Sequence, residues 1–125
     1  MKKKIMVVDD DPENNISLKA GLEEMDPEYE VLCADSAKQC FEILDDQIPN
    51  LILLDIMMPE VSGWEVIKKL KKSTKWKDIP IVFLSARSDS VAKGAGEFLG
   101  EDYIEKPYEI ADLKRRIDKI LCKIS

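Results

Sequence analysis

The residues able to do chemistry in this chain stand where apolar runs end. The run 5–8 stops at Asp9 and Asp10, the run 51–54 at Asp55, the run 79–84 at Ser85, and the stretch 102–105 at Lys106. Three clustered carboxylates could not all stay ionised unaided, because unit charges 4 Å apart repel by about 4 kcal/mol at an effective dielectric near 20. A cation is needed. An all-oxygen donor set with only a few carboxylates favours a hard ion that keeps waters, namely Mg2+. Lys106 would add a second positive charge and Ser85 a neutral donor, which together suit a transferred phosphoryl group. The chain has no histidine, so Ser-His-Asp triads, His-ligated zinc and a phosphohistidine carrier on this chain are excluded. Imidazole chemistry must come from a partner.

Gathering those groups requires a particular order of elements. The run 5–8 reads as a buried strand that ends at a polar edge. Asp11 can then cap a helix with Pro12 at its first position, carried by Ile16, Leu18, Ala20, Leu22 and Met25 and ended by Asp26-Pro27. Residues 29–34 predict a second strand. Ser36 with Gln39 forms a capping box before Ala37, Cys40, Phe41 and Leu44, spaced as one helix face. The strand 51–54 ends in Asp55. Ser62 and Glu65 repeat the box before a third helix with Trp64, Ile67 and Leu70 buried. A fourth strand, 79–84, precedes a fourth helix through Val91, Ala95, Phe98 and Leu99, weakened by Gly94 and Gly96 at about 1 kcal/mol each. A fifth strand, 102–105, and a last helix through Ile110, Leu113, Ile117, Leu121 and Ile124 complete the pattern.

Five βα units imply an α/β domain with a parallel sheet and helices on both faces. Side chains that close such strands at their carboxyl ends collect in one crevice where strand order reverses. The 125 residues are read as a single domain, 1–125, without linker, repeat or low-complexity segment. A net charge of −6 disfavours direct nucleic-acid binding. The longest apolar stretch, 79–84, is far below the roughly 20 residues of a membrane span, so no membrane insertion is expected. Three cysteines without CxxC spacing, and no secretion signal, point to a reducing cytoplasm.

The motifs VVDDDP at 7–12, LILLDIMMP at 51–59, FLSA at 83–86 and YIEKPY at 103–108 resemble the receiver domain of two-component response regulators, of the CheY-like kind, over essentially the whole chain. The resemblance implies a flavodoxin-like (βα)5 three-layer sandwich with strand order 2-1-3-4-5. It implies Asp55 as phosphoacceptor and Mg2+ held by Asp10, Asp55, the Met57 carbonyl and, partly through water, Asp9. Ser85 and Lys106 would grip phosphoryl oxygens. A sensor histidine kinase or phosphotransfer protein would donate from a phosphohistidine, and Ser85 with Tyr103 would switch the face of the fourth helix, fifth strand and last helix for a downstream protein target or a phosphorelay. Such a protein assists its own phosphorylation and slow dephosphorylation and turns over no external substrate.

Two features depart from the pattern. Ser85 and Lys106 are 21 positions apart, one fewer than is usual in the family, which would remodel the signalling face. A bulky Met57 and a long Arg87, each two positions past a site residue, imply slow hydrolysis. The competing reading is a phosphorylation-independent adaptor on the same fold, against which the intact Asp10, Asp55, Ser85 and Lys106 set argues. A flavin carrier is disfavoured because Asp9, Asp10 and Asp11 would repel the phosphate of FMN, and a DxD phosphohydrolase because DDDP fits its motif poorly. Asp11 reads as a helix cap, the cysteines and Trp64 and Trp76 as packing residues, and the lysine run of 68–77 as a solvated helix face.

Overall fold

A computed structural model describes residues 2–55, 63–85, 102–105 and 108–124. Five strands, β1 (Lys3–Val8), β2 (Tyr29–Ala34), β3 (Leu51–Asp55), β4 (Ile81–Ser85) and β5 (Asp102–Glu105), form one sheet in the order β2-β1-β3-β4-β5. Every pairing is parallel. Four helices are described: α1 (Pro12–Met25), α2 (Ala37–Asp46), α3 (Gly63–Lys72) and the C-terminal α4 (Ile110–Ile124). The expected helix through Val91, Ala95, Phe98 and Leu99 lies outside the described residues.

The period-two alternation of the strands sends their side chains into two cores, one on each face of the sheet. Ile5, Val7, Leu51, Leu53, Val82 and Leu84 pack with Leu18 and Leu22 of α1 and Leu113 and Ile117 of α4. Met6, Val8, Ile52, Leu54 and Phe83 pack with Cys40 and Leu44 of α2 and Val66, Ile67 and Leu70 of α3. Burying all five residues of β3 is what a central parallel strand covered on both faces requires. α1 comes close to α4 at Gly21, where an added Cβ would stand 3.2 Å from Ile110 side-chain carbons.

Three expectations are corrected by packing. In α1, Ile16 and Met25 are exposed, at 66% and 47%, and the buried positions are Asn15, Leu18 and Leu22. β4 begins at Ile81 because Pro80 has no N–H for the ladder; its carbonyl still accepts from the Ile52 N–H at 3.0 Å. In α4 the stripe passes through Leu113, Ile117 and Ile120, leaving Leu121 half-buried.

The edge of β2 is closed by α1. Glu23 accepts from the Val31 N–H at 2.8 Å, and Lys19 donates to the Val31 carbonyl at 2.9 Å while pairing with Glu23 at 2.9 Å. Those contacts occupy backbone groups that could otherwise pair with another strand. No helix among the described residues is long and apolar enough to cross a membrane.

Candidate functional site

Register brings the strand ends together. Val8 pairs with Leu54, so Asp9 and Asp55 are the next residues on neighbouring strands. Asp55 pairs with Leu84, and Ser85 with Glu105. One carboxylate oxygen from each of Asp9, Asp10 and Asp55 lies within 4.8 Å of the others. Asp9 and Asp55 are buried and Asp10 is exposed. Ser85 closes β4, but its side chain is not among those described, and Met57 and Lys106 lie outside the described residues, as does Arg87. Tyr103 stands on β5, half-buried against the α2/α3 core.

The first turn of α1 holds this corner in place. Asp11 caps the helix, accepting from the Glu13 N–H at 3.1 Å and the Asn14 N–H at 3.5 Å. Asp9 accepts from the Asp11 N–H at 3.0 Å through one oxygen and from the Asn14 amide at 2.8 Å through the other. Asn15 is buried and donates from one amide nitrogen to the Asp9 carbonyl and the Asp35 carboxylate, both at 2.9 Å. Asn14 and Asn15 did not stand out in the sequence. The available signal was a polar residue, Asn15, three positions before Leu18 on the buried stripe.

The donor chemistry fits a hard divalent cation. All three groups supply oxygen, and pairs of like charges at 4.8 Å repel by about 3 kcal/mol at an effective dielectric near 20. The hydrogen bonds from the Asp11 N–H and the Asn14 amide fix the buried Asp9 carboxylate, while Asp10 beside it is exposed.

Comparison with known proteins agrees with this geometry. A protein of Vibrio cholerae named as a probable cyclic di-GMP phosphodiesterase is 40% identical over 114 residues, 90% of this chain and 25% of that protein. The receiver domain of Francisella response regulator 1452 matches at a TM-score of 0.87 and 26% identity, covering 99% of this chain and 100% of that one. A CheY-like receiver domain protein of Methanospirillum hungatei matches at 0.82 and 32% identity, covering 97% and 95%. The chain spans between a quarter and half of the length of the first curated relatives it matches. Receiver domains bind Mg2+ at an acidic site and interact with histidine kinases or phosphotransfer partners. The family model of the response regulator receiver domain covers residues 5–118, and with the sheet order and the acidic corner this shows that the chain belongs to that family.

Proposed function

We propose that Asp55 accepts a phosphoryl group from a phosphohistidine on a kinase or phosphotransfer partner. The observation that carries this reading is the convergence of Asp9, Asp10 and Asp55 within 4.8 Å at the carboxyl end of the central strand. A carboxylate oxygen of Asp55 attacks phosphorus in line, a P–O bond forms, and the P–N bond to the partner's imidazole breaks with its electron pair leaving on nitrogen. Asp10, Asp55, the Met57 carbonyl and, through water, Asp9 would hold Mg2+. When bound, the ion offsets negative charge on the phosphoryl oxygens. Lys106 contributes the second positive charge and Ser85 a hydroxyl donor.

The acyl phosphate is later hydrolysed by water, with Met57 and Arg87 slowing its access. Ser85 moving toward the phosphoryl group leaves space for Tyr103, whose half-buried ring borders both the core and the surface. The output is a changed face at β5 and α4, to which the expected fourth helix also belongs, read by a downstream protein or the next carrier in a phosphorelay. Arg116 of α4 links the two described elements, reaching the Asp102 carboxylate at 3.5 Å and the Tyr103 carbonyl at 3.4 Å.

The test is incubation with acetyl phosphate and Mg2+ followed by intact mass measurement. A gain of one phosphoryl group in the wild type, lost in Asp55→Asn and on chelation by EDTA, is expected. An unchanged mass would favour the phosphorylation-independent adaptor instead.

A further inference from the structure

The lysines at 68, 69, 71, 72, 75 and 77 are all exposed, and no ion pair joins any of them among the described residues. Two other lysines are paired, Lys19 with Glu23 and Lys114 with Asp118 and Asp26, whereas these six stand close together in one stretch of ten residues. Val66, Ile67 and Leu70 bury the inner face of α3, so Lys68, Lys69, Lys71 and Lys72 share its outer face. Lys75 and Lys77 extend the patch into the turn before β4, where Lys71 donates to the Lys77 carbonyl at 3.2 Å.

Favourable charge at a helix C-terminus acts within the last turn, so the dipole of α3 gives no reason for lysines at 75 and 77. Beside the charges is an aromatic pair: Phe41 and Trp76 have ring centroids 5.6 Å apart, and the Lys69 ammonium stands 4.5 Å from the Phe41 centroid. Both rings are half-buried. A basic rim around a partly exposed aromatic pair is a surface for a partner carrying carboxylates around an apolar anchor.

We infer that the outer face of α3 and the turn after it dock an acidic, apolar-anchored segment of a protein partner. Without these six lysines the chain's net charge of −6 becomes −6 − 6 = −12, so a broad polyanion such as duplex nucleic acid or an anionic bilayer meets repulsion from the remainder. A short acidic segment covers only the patch. Because the sheet is parallel, the turn leading into β4 lies at the amino ends of the strands, opposite Asp55. Docking there leaves the phosphoryl site open, and the inference does not rest on phosphorylation.

The test uses the full chain and a fluorescein-labelled short peptide of glutamates around a Leu-Phe centre, followed by anisotropy. Saturable binding is expected, weakened about tenfold in the Lys72→Gln/Lys75→Gln/Lys77→Gln variant and unchanged in Lys38→Gln/Lys119→Gln. Phosphoryl uptake from acetyl phosphate should be the same in all three proteins, which separates this result from the fate of the receiver reading. No binding of the peptide, equal binding by both variants, or tighter binding to a DNA duplex or to phosphatidylserine vesicles than to the peptide would overturn the proposal.

Discussion

The hydroxyl of Tyr29, at the first residue of β2, donates to the carboxylate of Asp118 on α4, 89 positions away in sequence. Lys114 completes the cluster: its ammonium pairs with Asp118 at 2.5 Å and Asp26 at 3.6 Å and stands 5.2 Å from the centroid of the Tyr29 ring. Burial, then the bond and charge of Asp118, push the Tyr29 hydroxyl above its ordinary 10.0. Burial works to raise Asp118, but the hydrogen bonds from Lys114 and Tyr29 outweigh it and hold the carboxyl below 3.8. The cluster ties the end of α1 and the start of β2 to the last helix.

The raised tyrosine has a definite pH consequence. Its stabilisation is fully present below about pH 10, the unfolded value, and is lost as pH rises above it, since the unfolded chain then releases a proton the folded one keeps. Urea unfolding between about pH 8 and pH 11 should show a steeper loss in the wild type than in Tyr29→Phe. The variant should also be about 1 kcal/mol less stable at neutral pH. Parallel pH profiles would show that the hydroxyl is not held.

Removing one of the three clustered charges should separate stability from metal binding. Asp10→Asn is expected to raise the Mg2+-free melting temperature by about 1–3 °C, because a like charge has gone. Stabilisation by added Mg2+ should largely vanish in the same variant, since ligand binding stabilises only what it binds. Thermal melts with and without the ion measure both effects.

Asn15 is a structural support for Asp9. Asn15→Leu should cost about 1–3 kcal/mol, by removing the buried amide that donates to the Asp9 carbonyl and the Asp35 carboxylate. It should also weaken phosphoryl uptake while leaving Asp55 intact. Denaturant titration with a parallel acetyl phosphate assay tests this, and unchanged stability would contradict it.

The three thiols should react in the order of their exposure. Cys122 is exposed, Cys33 half-buried and Cys40 buried. Burial pushes the Cys40 thiol up to about 12 and raises Cys33 as well. Ellman's reagent at neutral pH should modify Cys122 first, Cys33 slowly and Cys40 only on unfolding. Fast modification of Cys40 would mean that the α2 core opens readily.

Most of the architecture is visible in the sequence for local reasons. Apolar runs ending at carboxylates mark strands and their polar edge, and the predicted 29–34 and 102–105 coincide with β2 and β5. Caps are local too: the Asp11 and Ser36 side chains accept helix N–H groups as their positions predict. Gln39 departs slightly from the expected box, accepting from the Asp35 N–H at 2.6 Å. The stripe of α1 was harder to read. Its first turn faces the acidic corner, so Asn15 is buried there to satisfy backbone oxygen while Ile16 points to solvent.

By itself, then, the sequence determined the βα alternation, the acids at the strand ends, the excess of negative charge and the lysine run, all of which depend on residue type and spacing along the chain. Only the tertiary structure decided that Asp9, Asp10 and Asp55 converge, that Glu23 and Lys19 close the edge at Val31, and that Tyr29 meets Asp118. The physical reason is that strand register and helix packing are settled by burying two cores at once. Contacts between residues far apart in the chain exist only after that burial has chosen which ends lie side by side.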